Sequence, residues 1–92
     1  MKFYHGTTEE NYKKILLEGI LWGRRSHLGT ELSRCTYLTD NKAEAQCYGK
    51  ILLEVEYDPF KNPNKNNYIP GCWQFRVYEP ISLDNVKVID IF

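Results

Sequence analysis

The sequence predicts an α+β domain, with two small antiparallel or mixed sheets and two short helices. Three observations predict it. Several short segments are dense in aromatic and β-branched residues, and some alternate apolar with polar positions as half-buried strands do. Two stretches in the first half of the chain carry helix-start signals, whereas the second half reads as strands and turns. Finally, 92 residues at 42% hydrophobic and 14% aromatic suffice for one packed domain, 1–92, and leave no room for a second.

The elements follow in order. Lys2 to His5 is short, aromatic and β-prone, and reads as a strand. Thr7-Thr8-Glu9-Glu10 contains a Thr-x-x-Glu capping box that opens a helix. In that helix Tyr12, Ile15 and Leu16 share one face, with Lys13, Lys14 and Glu18 largely off it, and Gly19 is a fitting left-handed terminator. Ile20 to Cys35, with Gly23, Arg24, Arg25, Ser26 and Gly29, shows no period and reads as one long loop. A loop of that length in so small a domain is more often functional than not.

Thr36-Tyr37-Leu38 is a brief strand, and Asp40 is placed to cap a second short helix through Ala43, Ala45, Gln46 and Cys47, ending at Tyr48-Gly49. Ile51 to Tyr57 is the strongest strand. Its later half puts Leu53, Val55 and Tyr57 on one face and Glu54 and Glu56 on the other, and Pro59 stops it. Residues 58–71, with Pro59, Pro63, Pro70 and four asparagines, read as loop. Trp73 to Tyr78 is a strand, Glu79-Pro80 a break, and Val86 to Phe92 the last strand.

Composition excludes several classes of function. Lys plus Arg equals Asp plus Glu at 12 each, so the chain lacks the basic excess of a general nucleic-acid binder. No apolar run approaches transmembrane length and the start carries no apolar signal segment, so a cytoplasmic protein without membrane attachment is expected. Cys35, Cys47 and Cys72 are odd in number and form no C-x-x-C, and His27 stands at no ligand spacing to them. Neither a disulfide framework nor a metal site is expected. Phosphate-binding loops, dinucleotide fingerprints, a nucleophile elbow and a zinc-protease motif are all missing from the sequence.

What remains is a constellation at strand ends. Phe3-Tyr4-His5-Gly6-Thr7 places a histidine at the end of a strand, then a glycine, then a capped helix. Helix starts offer free N–H groups, and glycine lets a ligand approach the backbone. Tyr37 stands at a second strand end before the second helix, and Tyr48 at that helix's far end. Taken alone, His5 can merely bond backbone, and Tyr37 and Tyr48 can be core aromatics.

In order and spacing, His5-Gly6-Thr7, Asn11, Ile15-Leu16, Gly19-Ile20, Tyr37-Leu38-Thr39-Asp40, Ala43, Ala45, Tyr48 and Gln74-Phe75-Arg76-Val77-Tyr78 resemble the ADP-ribosyltransferase superfamily. The likeness is to its diphtheria-toxin-like and poly(ADP-ribose)-polymerase-like branch and covers nearly the whole chain. The chain is also similar to the small rifamycin-modifying ADP-ribosyltransferases. The RNA 2′-phosphotransferases share the fold, but their additional basic anion-binding residues have no evident match here.

The resemblance implies a compact fold with NAD⁺ as co-substrate in a cleft between two small sheets, and transfer of ADP-ribose to an acceptor with release of nicotinamide. It implies that His5 bonds ribose hydroxyls, that Gly6 meets the carboxamide through its backbone beside Thr7, and that Tyr37 and Tyr48 sandwich the pyridinium. His5, Tyr37 and Gln74 then form the catalytic set. Gln74 stands where the branch has a glutamate, and Ala45 where the polymerases have a serine. A neutral Gln74 slows transfer and does not favour chain elongation, so mono-ADP-ribosylation is expected, on a protein or other acceptor, macromolecular or small, with a protein expected before a nucleic acid. Glu79 substitutes only in a shifted register. The alternative is a module on the same scaffold that binds NAD⁺ or ADP-ribose without catalysis, or an interaction domain. Arg24 and Arg25 fall where the family often covers NAD⁺ or meets its target.

Overall fold

A computed structural model describes residues 1–23 and 35–91. Arg24, Arg25, Ser26, His27 and Gly29 lie outside the described residues, as does most of the segment read as a long loop. The described chain is α+β: β1 (Lys2–Thr7), α1 (Glu9–Glu18), β2 (Ile20–Leu21), β3 (Thr36–Thr39), α2 (Lys42–Gln46), β4 (Ile51–Glu56), β5 (Gln74–Val77), β6 (Ile81–Ser82) and β7 (Val86–Ile91). Single 3₁₀ turns occupy Pro63–Lys65 and Leu83–Asn85. Five strands form one antiparallel sheet in the order β5-β3-β1-β4-β7, and β2 pairs with β6 as a separate ribbon.

The strand register divides the larger sheet into two faces. Cross-strand partners share a face. Tyr4 is opposite Thr39 and Glu54, Tyr37 opposite Arg76, and Thr39 opposite Gln74. Phe3, Leu38, Leu53, Val55, Phe75 and Val77 therefore point the other way, and all are buried. Ile15 of α1, Leu21 of β2 and Ile81 of β6 pack on them, so the helix and the small ribbon cover this face. Phe3, Tyr68 and Phe75 meet edge to face with centroids 4.8 to 6.1 Å apart, the geometry that aromatic quadrupoles prefer. The short α2 covers the opposite face. Ala45 is buried there, and a Cβ on Gly6 would run into the Ala45 carbonyl.

Local chemistry shifts several expected boundaries. The helix cap is Thr8, not Thr7: its hydroxyl accepts from Asn11 N–H at 3.1 Å, while Thr7 stays in β1 opposite Ile51. Gly19 ends α1 with φ 75° and donates to the Ile15 carbonyl. Leu16 is exposed, contrary to its expected place beside Ile15, which alone in α1 is buried. The second helix is capped by Asn41, not Asp40, because the Asn41 side chain reaches the Ala43 and Glu44 amides. Ile20–Leu21, read as loop, is a strand because Ile81–Ser82 supplies a partner. Two residues carry no periodicity, so pairing of that kind leaves no local signal.

The 58–71 segment is held by one buried side chain. Asn66 Nδ2 donates to the Pro59 and Asn62 carbonyls at 3.0 and 3.1 Å and to the Tyr57 hydroxyl at 3.3 Å, and its Oδ1 accepts from Tyr68 N–H. The Tyr57 hydroxyl in turn donates to Glu79 at 3.2 Å. Burial and the Glu79 carboxylate push the Tyr57 phenol up to about 12 although the Asn66 bond opposes them, so it stays protonated and donates.

Candidate active site

The β1–β3 ladder ends early, and the site forms where it ends. Tyr4↔Thr39 is the one register pair between these strands. Continuation of an antiparallel ladder would set Gly6 opposite Tyr37. Instead the strands separate, and the His5 Nδ1–H donates to the Tyr37 carbonyl across the gap at 2.8 Å. A carbonyl only accepts, so this bond places a proton on Nδ1 and leaves Nε2 as the acceptor of the neutral ring. His5 is half-buried; burial lowers its pKa below 6.5, with the Tyr37 carbonyl opposing, so the ring is neutral at pH 7.

Beside this gap lies a cleft of about 410 Å³, within the usual range for small-molecule sites. His5, Gly6, Thr7, Tyr37 and Tyr48 all line it. Two glycines set the near wall. Gly6 lets α2 rest its Ala45 carbonyl against β1, and a Cβ on Gly49 would strike the Thr7 carbonyl. Tyr48 is thereby brought to the β1–α1 junction, 57% exposed. At the other side Gly23 N–H donates to the Thr36 hydroxyl at 2.8 Å and closes the end of β2 onto the start of β3.

Gln74 is not in the cleft lining. It is half-buried on β5, and its Nε2 lies 3.4 Å from the Tyr48 hydroxyl, a long hydrogen bond. A shallow depression on the α2 face is lined by Tyr37, Asn67, Gln74, Phe75 and Arg76, so Tyr37 borders both hollows. The Arg76 guanidinium sits 5.4 Å from the Tyr37 ring centroid and occupies one face of the ring. Glu79 is engaged with Tyr57, and Asp58 accepts from Phe60 N–H; neither lines the cleft.

The sequence reading did not single out Lys14, Glu18 or Trp22, yet they line the cleft with Asn11 and Ile15. The spacing 11, 14, 15, 18 was available as a signal: it is one stripe of a helix. The apolar positions Tyr12, Ile15 and Leu16 set a different expectation for which face turned inward. Among the described residues, no group of His, Cys, Asp and Glu is arranged to hold a metal, and no helix is long and apolar enough to cross a membrane. Cys35, Cys47 and Cys72 are all free thiols. Comparison with protein-family models, with curated proteins and with solved structures finds no match to this chain.

Proposed function

We propose that this protein is an NAD⁺-dependent mono-ADP-ribosyltransferase of the kind its sequence resembles, acting on a protein acceptor in the cytoplasm. The observation that carries the reading is the interrupted β1–β3 ladder, bridged by His5 on Tyr37 and opening into a cleft also lined by Gly6, Thr7 and Tyr48. Five residues that the ordered motif singles out thus share one hollow of suitable size. Three unpaired cysteines fit a reducing compartment.

In this reading the bond between nicotinamide N1 and ribose C1′ breaks, and its electron pair leaves with the nicotinamide. The ribose takes on oxocarbenium character, as in glycoside hydrolysis. An acceptor nucleophile then bonds C1′ and loses its proton to solvent water. His5 Nε2 accepts from a ribose hydroxyl while Nδ1 remains tied to Tyr37, which fixes the ring without further ordering. The Gly6 backbone meets the carboxamide. Tyr48, and the face of Tyr37 away from Arg76, pack on the pyridinium, an attraction of about 0.5–2 kcal/mol. Gln74 reaches the reacting end through the Tyr48 hydroxyl. It brings a dipole and no charge, so it stabilises the oxocarbenium less than a carboxylate would.

That neutral residue, outside the lining, favours a second reading, in which the cleft binds NAD⁺ or ADP-ribose without turning it over. Incubation with NAD⁺ labelled on its adenine, in lysate, separates the two. Label transferred to protein together with free nicotinamide supports the transferase. Saturable NAD⁺ binding with neither product supports the binding module, and no binding rejects both.

A further inference from the structure

On the side of the sheet that α2 covers, the helix packs mainly over β1, β3 and β4. At the sheet's edge, β5 turns Gln74 and Arg76 to that same side beside Tyr37 of β3. Arg76 is exposed and Tyr37 is 43% exposed. With Asn67 they line the shallow depression, about 300 Å³ in volume. The outer edge of β5 is already taken. Asn67 N–H donates to the Arg76 carbonyl, Tyr78 N–H donates to the Lys65 carbonyl, and the Asn67 side chain accepts from Arg76 N–H at 2.6 Å. A partner strand has no free ladder to join there, so recognition at this edge falls to side chains.

Two tyrosines order the Arg76 guanidinium. It lies 5.4 Å from the Tyr37 ring centroid and donates to the Tyr78 hydroxyl. Among the described residues, no carboxylate lies within ion-pair distance of it. A guanidinium presents its donors in a rigid fork that matches a carboxylate, and a fork already held in place loses less freedom on binding. Asn67 spends its Oδ1 on Arg76 N–H and keeps its Nδ2 as donor, while Gln74 spends its Nε2 on Tyr48 and keeps its Oε1 as acceptor. We propose that this depression docks an acidic side chain of a partner protein, its carboxylate on Arg76 and its flanking peptide groups on Asn67 and Gln74. Tyr37, Tyr78 and Trp73, all exposed along this edge, supply the aromatic contact area that accompanies arginine at protein interfaces. The lining holds one cation, in a chain of zero net charge, which suits a carboxylate and not the row of phosphates of a nucleic acid. The inference goes beyond the NAD⁺ reading and does not depend on it.

The test is an amide chemical-shift titration of the isotope-labelled protein with a short capped peptide of alternating glutamate and alanine, and with its glutamine counterpart. Wild type should show saturable shifts at Asn67, Gln74 and Arg76 with the glutamate peptide. It should bind the glutamine peptide at least about tenfold more weakly, since the charge-assisted bond is lost. Arg76→Gln should weaken the glutamate peptide by a similar factor, and Arg76→Lys should retain part of the affinity as a point charge without the fork. Because the Arg76 side chain is exposed, both variants should melt close to wild type. Equal binding of the two peptides, an unchanged affinity in Arg76→Gln, or no saturable shifts at these residues overturns the proposal. So does tighter binding of inorganic phosphate or of a single-stranded oligonucleotide at the same residues. Each of these results leaves the NAD⁺ reading standing, because the titration contains no NAD⁺.

Discussion

His5 donates its Nδ1 proton to the carbonyl of Tyr37 at 2.8 Å, across the point where β1 and β3 part. The register puts the His5 side chain on the α1 face of the sheet and the Tyr37 ring on the α2 face. The bond runs to the Tyr37 backbone and not to its ring, so it joins β1 to β3 at the cleft and fixes which imidazole nitrogen is left to accept from a ligand. Replacing His5 with Ala removes this tie and the Nε2 acceptor together. NAD⁺ affinity should fall about ten- to hundredfold, as expected for losing hydrogen bonds in a partly desolvated site. Calorimetry on the folded variant measures this, and an unchanged affinity would place NAD⁺ elsewhere.

The same histidine predicts an acid limb in stability. Its folded pKa is lowered from 6.5 by burial, so as pH falls the unfolded chain takes up the proton first. The stabilisation is complete above pH 6.5 and is lost as pH falls below it toward the folded value. Urea denaturation of wild type between pH 7.5 and 5 should show stability declining over that window. His5→Gln should show a shallower decline. Parallel curves for the two proteins would mean that another group is responsible.

Gly6 and Gly49 are spacing residues. A Cβ at Gly6 meets backbone at Ala45, which cannot swing aside as a side chain would. Gly6→Ala should cost about 2 kcal/mol or more through displacement of α2, and lower NAD⁺ affinity as Tyr48 moves with it. A thermal melt within about 2 °C of wild type would show that α2 adjusts freely.

Asn66 offers a test remote from the cleft. Four hydrogen bonds converge on a buried side chain that joins Tyr57, Pro59, Asn62 and Tyr68. Asn66→Ala leaves those groups to find other partners and should cost about 2–4 kcal/mol in urea denaturation. NAD⁺ affinity at saturating fold should be unchanged, since none of these residues lines the cleft. A loss of affinity without a loss of stability would contradict this division.

Gln74→Glu restores the charge that the resemblance expects at this position. The Tyr48 hydroxyl can turn from accepting the Gln74 amide to donating to a carboxylate, so the contact survives. Nicotinamide release should rise roughly tenfold, the difference of about 1–2 kcal/mol between a neutral and a charge-assisted hydrogen bond. An unchanged rate in a variant that still binds NAD⁺ would remove Gln74 from the reaction.

The strands with apolar alternation were legible because a buried face repeats every second residue; Leu53 and Val55 are fully buried and Glu56 is exposed, as their spacing implies. Gly19 was legible because a left-handed helix end needs glycine. The β2–β6 ribbon was not, since two-residue strands are defined by each other and not by their own sequence. The caps fell one residue later than read, at Thr8 and Asn41, because adjacent residues of similar capping chemistry compete and tertiary position decides between them. Of the residues that line the cleft, the strand-end and helix-end places of His5, Gly6, Tyr37 and Tyr48 were legible. Lys14 and Glu18 were not, because a charged side chain on a helix announces neither which face turns inward nor what it meets there.

The most direct test of the account is an amide chemical-shift titration of the isotope-labelled protein with NAD⁺. The account predicts saturable shifts at Gly6, Thr7, Asn11, Tyr37 and Tyr48, the residues of the cleft around the His5–Tyr37 bond, with little change along β7. Shifts confined to the Asn67–Arg76 depression, or no shifts at millimolar NAD⁺, would contradict it.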